Sequence, residues 1–221
     1  MLVRAAAALR AAAEGGPGGP ADGAVEVLAR SHPFRGFFGI EDLLLRHRRF
    51  DGSMGPAIRR EVFVMTDAVT VLPYDPVHDL VLAVEQFRAG AVGRGGGPIW
   101  HLEAIAGRID PGETPEDTAR REAAEEAGLV LGALLPVAGY YPSPGACTEY
   151  IHSFVALCDL GAAKGGLHGV ADEGEDIRTH VLAFDAAAEA LAAGRIINAP
   201  LLISLLWLMR ERPRLRAGAG I

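Results

Sequence analysis

Apolar positions near the start of the chain fall into three extended segments, "AVEVLARS", "FFGIEDLLLRHRRF" and "IRREVFVMT", set apart by Pro, Gly and Asp. With no convincing helical pattern among them, they predict a small N-terminal sheet. From "AVTVLPYD" the pattern changes to more buried strands, followed by "LVLAVEQFR" and "IWHLEAIAG". Turn formers in "YDPVHD" separate the first two. The Gly-rich "GAVGRGGGP" after Arg88 lacks the GK[ST] ending of a phosphate-cradling loop, so a flexible connection is expected there. Two strand-like segments, "ALLPVAGYY" and "YIHSFVALC", precede a Gly-rich loop and "DIRTHVLAF". Helices are expected at "DAAAEALAAG" and "NAPLLISLLWLMRER". Neither solenoid periodicity nor heptads occur, and the order of elements predicts an α+β fold, a mixed sheet with helices packed on it. The expected organisation is a tail over 1–22, a small β subdomain over 23–65 and a main domain over 66–221.

One stretch stands out by its charge. "GRIDPGETPEDTARREAAEEAG", from Gly107 to Gly128, carries seven carboxylates in 22 residues. Thr114 is a good N-cap, Pro115 suits the first helical position and Asp117 completes a capping-box-like spacing. Glu116 and Asp117 suit the positive end of the helix dipole, and Gly128 is a natural stop, so a helix is expected over 115–127. At about 100° per residue, Glu122, Glu125 and Glu126 share an arc of roughly 100°. Ionised carboxylates so close repel one another, and Arg120 and Arg121 compensate only in part. A solvated acidic face is one reading; relief by divalent cations is the other. Carboxylates without cysteines or clustered histidines suit Mg²⁺, or Mn²⁺ as a substitute, rather than Zn²⁺.

Composition narrows the classes. The chain has 221 residues, 50% of them hydrophobic, ample for one core with a small appended subdomain. A net charge of −7 gives no reason to expect a nucleic-acid partner, and "RHRRF" reads as a solvated strand face. Cys147 and Cys158 have no metal-type spacing, and a reducing cytosol fits them. The apolar run "LLISLLWLM" is far short of the roughly 20 residues a membrane span needs, so no membrane partner is expected. The Ala-rich start reads as a frayed helix ending in a Gly/Pro linker, because Arg10 interrupts its apolar stretch and no small-residue cleavage site follows. The expected location is cytoplasmic.

The acidic stretch also carries a resemblance. Gly107, Glu113, Arg121-Glu122, Glu125-Glu126 and Gly128, with Leu129 following, have the spacing of the Nudix box. Seven such identities would coincide by chance about once in a million chains of this length. Ala123 departs from the larger aliphatic residue usual in that family, which touches packing and not chemistry. "RGFFGIEDLLLRHRRFDG", "EQFRAGA", "YYPSPGACTE", "HGVADEGEDIRTHV" and "GRIINAP" extend the likeness. Together they resemble the bacterial ADP-ribose pyrophosphatase branch of Nudix hydrolases, with Pro144 where that branch has a proline.

The resemblance implies a Nudix fold, a mixed β-sheet sandwiched by helices with a small N-terminal antiparallel sheet. It implies Mg²⁺-dependent hydrolysis of a nucleotide sugar, ADP-ribose giving AMP and ribose 5-phosphate. By the same likeness Glu122, Glu125, Glu126 and the Ala106 carbonyl would hold metal, and Glu113 and Arg121 would tie loop to helix. Glu173, in "ADEGED", would be the general base, with Glu175 a further ligand and Asp176 chemically interchangeable with both. Arg88 would grip phosphate oxygens, Phe37 and Arg60 would sandwich the adenine with Glu61 beside them, and Glu149 would contact the terminal ribose. Glu125 and Glu126 count among the catalytic residues as well as the ligands. Relatives are homodimers that exchange the N-terminal subdomain, and a homodimer is expected here. Two alternatives stay open: hydrolysis of another nucleotide sugar such as GDP-mannose, and a non-catalytic ADP-ribose sensor. Sensors typically lose box carboxylates, and this box keeps them.

Overall fold

The computed structural model describes residues 23–170 and 174–220. The Ala-rich start, read above as a frayed helix, lies outside the described residues, as does Glu173. The chain divides into two compact units, one running to Asp67 and taking in Asp110–Gly112 and Tyr141–Tyr150, the other comprising the rest.

In the first unit, β1 (Val25–Arg35), β2 (Gly39–His47) and β3 (Ile58–Val64) form an antiparallel sheet in that order. These are the three segments expected from sequence. Two successive residues of β2, Glu41 and Asp42, carry buried carboxylates on opposite faces of the strand. Asp42 takes Arg59 Nε on both oxygens, at 2.7 and 2.8 Å, while Glu41 meets Arg30 at 3.4 Å and His32 at 3.2 Å. The Arg59 guanidinium holds the Asp42 carboxyl below its ordinary range. The Tyr141–Tyr150 segment is stitched to β3 and its end: Phe63 N–H donates to the Ala146 carbonyl at 2.8 Å, and the Thr148 hydroxyl accepts from Met65 N–H at 2.9 Å.

The second unit is built on β4 (Ala68–Asp75), β5 (Leu80–Phe87), β6 (Trp100–Glu103), β7 (Ile105–Arg108), β8 (Leu134–Tyr140), β9 (Ile151–Leu157), β10 (Leu167–His168) and β11 (Ile177–Ala183). Its sheet runs β10-β11-β5-β4-β9-β8, with β6 on β5 and β7 on β4. The β4–β9 pair is parallel and the rest antiparallel, so the sheet is mixed. Among the described residues, four helices accompany it: α1 (Ala89–Arg94), α2 (Pro115–Ala127), α3 (Phe184–Ala192) and α4 (Ala199–Gly218). Val69, Val71, Leu82, Val84 and Ile105 pack with Ala119 and Ala123 of α2, while Leu72, Tyr74, Val81 and Val155 pack with Phe184, Leu201, Leu205 and Leu208 of α3 and α4. Alternate residues of β4 thus enter different cores, which is why that strand is apolar nearly throughout.

Three local readings need correction. "IWHLEAIAG" is two strands, because the chain leaves β5 for β4 at Ala104. Pro73 sits where β4 changes partner from β7 (through Val71) to β5 (from Tyr74), a place where a missing N–H costs little. "GAVGRGGGP" opens with the short helix α1, stopped by Gly95 at φ 81. Finally, α4 continues past Arg212 through Pro213 to Gly218.

A cluster of charges explains how α4 is held beyond its proline. Asp79, in the left-handed region at φ 58, accepts from Tyr74 Oη at 2.9 Å and Arg212 Nε at 3.0 Å, and meets Arg216 at 3.1 Å. Arg212 also lies 4.3 Å over the Phe184 ring. Asp79→Ala should destabilise the protein by about 2–3 kcal/mol, since partly buried Arg216 loses its counter-charge and Arg212 keeps only the exposed Asp185, at 3.2 Å. Chemical denaturation monitored by far-UV circular dichroism measures this; a loss below about 0.5 kcal/mol would mean the cluster is only a surface decoration.

Candidate active site

The acidic helix forms where its caps predict. The Thr114 hydroxyl accepts from Asp117 N–H at 3.1 Å and donates to the Asp117 carboxylate at 2.7 Å, Pro115 opens the helix, and Gly128 ends it at φ 63. The small residues Ala119, Ala123 and Ala127 recur every four positions, so this stripe faces the sheet closely. Glu122 and Glu126 sit one position before two of these alanines and are drawn inside with them, 8% and 1% exposed; Glu125 stays exposed. Ala123, the departure from the family pattern, is fully buried, and its smallness suits that close approach.

Around the helix, the loop and β7 complete the cluster. Glu126 accepts from Ala106 N–H at 3.2 Å, which places the β7 backbone beside the carboxylate. Gly107 admits Glu122: a β-carbon there would lie 1.7 Å from Glu122 Oε1. Arg121 ties the parts together, donating to Glu113 at 2.9 and 3.1 Å, to Glu122 at 2.7 Å, to Glu125 at 3.1 Å and to the Arg108 carbonyl at 3.2 Å. Glu113 also accepts from Thr118 Oγ1 at 2.7 Å. Loop, strand and helix are therefore linked through one guanidinium, the tie expected of Glu113 and Arg121.

Burial pushes the Glu126 carboxyl up to about 8 even though Ala106 N–H opposes it; the Glu122 and Glu175 charges add to the rise and Arg88 counters it. Burial likewise raises Glu122 to about 7 against the pull of Arg121, with Glu125 and Glu175 contributing. Glu175 is anchored by Val170 N–H, 3.3 Å from its carboxylate. The structure thus brings Ala106, Glu122, Glu125, Glu126, Glu175 and Arg88 into one electrostatic neighbourhood. Arg88 pairs there with Glu103, a residue the sequence reading passed over. Its signal was a lone acid in the otherwise apolar "LEAIA".

The remaining candidates belong to the other unit. Phe37 is 82% exposed, edge-on to Phe38 at 4.9 Å; Arg60 and Glu61 are exposed on β3, and Glu149 is half-buried. Within one chain Phe37 and Arg60 are not neighbours. Arg60 faces Leu43, while Val64 faces Gly39, two residues after Phe37. Four strand residues alone separate the two rows by roughly 13 Å.

The carboxylates around α2 make an all-oxygen donor set that suits a hard divalent cation. Among the described residues, the one group of three or more such side chains whose ligand atoms lie within 4.8 Å of one another is elsewhere: Asp75, His78 and Asp159. Its centre is engaged: Asp75 accepts from the N–H groups of Val77, His78 and Leu160 and pairs with the His78 ring. That group pins the turn between β4 and β5.

Fold and site together define a class, an α+β domain whose acidic helix suits a hard divalent cation, and comparison with known proteins specifies it. Residues 64–203 match the NUDIX domain model. The ADP-ribose pyrophosphatase of Escherichia coli K12 is 43% identical over 192 residues, covering 87% of this chain and 91% of that protein. The ADP-ribose pyrophosphatase of Haemophilus influenzae is 37% identical over 194 residues, covering 87% and 89%. A GDP-mannose pyrophosphatase of Pectobacterium atrosepticum is 36% identical over 137 residues, covering 62% and 69%. A crystal structure of an ADP compounds hydrolase shares the fold, with TM-score 0.62 at 20% identity over 85% of this chain and 95% of that one. The chain belongs to the NUDIX family. Among the described residues, no helix is long and apolar enough to cross a membrane.

Proposed function

We propose that this protein hydrolyses the diphosphate of ADP-ribose to AMP and ribose 5-phosphate in a Mg²⁺-dependent reaction. The observation that carries the reading is the burial of Glu122 and Glu126 beside Ala106, with Arg121 binding the box together. Two buried carboxylates raised toward neutrality make a site short of positive charge, which an ordinary solvated acidic face would not be. The 43% identity to an ADP-ribose pyrophosphatase supports this substrate over GDP-mannose.

In this reading Glu122, Glu125, Glu126, Glu175 and the Ala106 carbonyl hold Mg²⁺, or Mn²⁺ in its place. The bound ion supplies charge neutralisation of the diphosphate and activation of water at neutral pH. Arg88 orients phosphate oxygens. Glu173, or a neighbouring loop acid, takes a proton from the attacking water. Phe37, Arg60 and Glu61 hold the adenine end, and Glu149 the terminal ribose. Incubation with Mg²⁺ and a nucleotide-sugar panel, with products separated chromatographically, tests it. AMP release from ADP-ribose is expected; cleavage of GDP-mannose alone would overturn the substrate, and binding without cleavage would overturn the activity.

The same reading makes the protein a cytoplasmic homodimer whose N-terminal sheet completes the partner's site. Strand β1 is exposed along its whole length, with Val25, Val27, Leu28 and Phe34 between 44% and 58% exposed, apolar surface that a second copy would cover. Phe37 and Arg60 both belong to this sheet, whereas Glu122, Glu125 and Glu126 belong to the other unit, so the exchanged sheet would bring the adenine contacts to the partner's site. Light scattering at micromolar concentration should give a dimer. Mixing Arg60→Ala with Glu126→Gln protein should restore activity at about a quarter of the sites, because random pairing leaves one intact site per heterodimer. A monomer, or exchanged subunits without recovery, would overturn the arrangement.

A further inference from the structure

Arg88 was expected to grip phosphate, yet part of its guanidinium is already engaged. Nε donates to Glu103 Oε1 at 3.0 Å and Nη2 to Glu103 Oε2 at 2.7 Å. A guanidinium has five N–H groups and two edges able to hold a pair of acceptors. Glu103 takes the Nε/Nη2 edge, which leaves both Nη1 protons and one Nη2 proton for other acceptors.

Glu103 is placed for this by the sheet. It stands on β6 opposite Val84, and Val84 packs in the core that α2 covers, so the Glu103 side chain points to the α2 face. That side chain is 5% exposed, whereas the Arg88 side chain is 43% exposed. The acid is therefore the fixed partner and the guanidinium the one with access to solvent and ligand. Burial works against the charge on Arg88, but the Glu103 pair, with Glu126 and Glu175 nearby, outweighs it and keeps the pKa above its usual value.

We infer that Glu103 is a positioning residue for substrate: by holding one edge of the Arg88 guanidinium, it presents the other to the diphosphate bound among the α2 carboxylates. The inference rests on the proposed diphosphate hydrolysis and adds a residue to it. It explains why the residue at 88 is an arginine. A lysine ammonium could pair with Glu103 or meet the phosphate, but it lacks a second planar edge to do both in fixed geometry.

The test is steady-state kinetics of the full-length chain on whichever nucleotide sugar the wild type cleaves, with melting temperatures measured alongside. Glu103→Gln offers an amide N–H to Arg88 in place of one acceptor oxygen, so the arginine loses its anchor. KM should rise about tenfold with a smaller change in kcat, and the melting temperature should move by only a few degrees. Arg88→Lys should show the same split, and the double variant should be no worse than Arg88→Lys alone, because the two residues act as one device. Glu103→Asp, which keeps the charge, should recover part of the loss. Wild-type kinetics in Glu103→Gln, additive losses in the double variant, or a lower melting temperature at unchanged KM would each overturn the inference while leaving the proposed reaction intact. A wild-type protein that cleaves no nucleotide sugar would overturn both.

Discussion

Replacing Glu126 with Gln should lower kcat by about three orders of magnitude at saturating Mg²⁺ while leaving the fold intact. The carboxylate is 1% exposed, accepts from Ala106 N–H and is pushed up to about 8, chiefly by burial. Without metal its charge is a liability to the folded chain. A folded-state pKa above the unfolded value means that its stabilising share is complete below the unfolded pKa near 4.5 and is lost as pH rises through about 8. Glu122, raised to about 7, acts in the same direction. The metal-free protein should therefore melt several degrees lower at pH 9 than at pH 6, and Glu126→Gln should flatten that slope. Mg²⁺ should restore the wild type most at high pH, where both carboxylates are ionised, and restore the variant less. Calorimetry across this pH range, with and without Mg²⁺, separates the outcomes. Near-normal turnover in the variant, or equal slopes in both proteins, would remove Glu126 from the centre of the site.

The parts of the fold that could be read in advance are those whose determinants are local. Helix α2 has Thr114, Pro115 and Gly128 written at its ends, and the structure returns those bounds. Strands of the N-terminal sheet and of the main sheet announce themselves by apolar runs between turn formers. What escaped reading depends on distant partners. Nothing in "IWHLEAIAG" says that Glu103 belongs to β5's neighbour and Ile105 to β4's. Pro213 should end a helix by local rules, yet Leu215 enters the core and Arg212 and Arg216 reach Asp79, and those tertiary contacts override it. The site divides in the same way. Spacing on one helix made Glu122, Glu125 and Glu126 visible as a group, but their unequal burial follows from which side of the Ala119, Ala123 and Ala127 stripe each falls. The Arg88–Glu103 pair joins the residue just past β5 to β6, and only the pairing of those strands brings it into view.

Gly107→Ala should abolish most of the activity while removing no functional group at all. Gly107 lies in β7 opposite Val69, and its backbone requires no unusual dihedral. The constraint is one of space. A methyl group there would sit 1.7 Å from Glu122 Oε1 and 2.0 Å from its Cδ, far inside van der Waals contact. Either β7 moves away from α2 or the Glu122 carboxylate swings out. The strand is held by its ladder to β4 and by Ala106 N–H on Glu126, whereas the carboxylate is the end of a flexible side chain, so the carboxylate should yield. It would leave the Glu126 side of the site and strain its 2.7 Å contact with Arg121. If Glu122 holds metal as proposed, a displacement of an ångström or more at its carboxylate should cost about 100-fold or more in kcat/KM. Stability in the absence of metal should change little, since moving a buried carboxylate toward water offsets the strain. The decisive comparison is Gly107→Ala against Gly107→Ala with Glu122→Gly, which empties the space the methyl needs. If crowding of Glu122 is the cause, the second change should cost no further activity, because the carboxylate was already lost to the site. A Gly107→Ala protein with wild-type kcat/KM, or a further drop of the same size in the double variant, would show that Glu122 keeps its place and that the glycine is there for another reason.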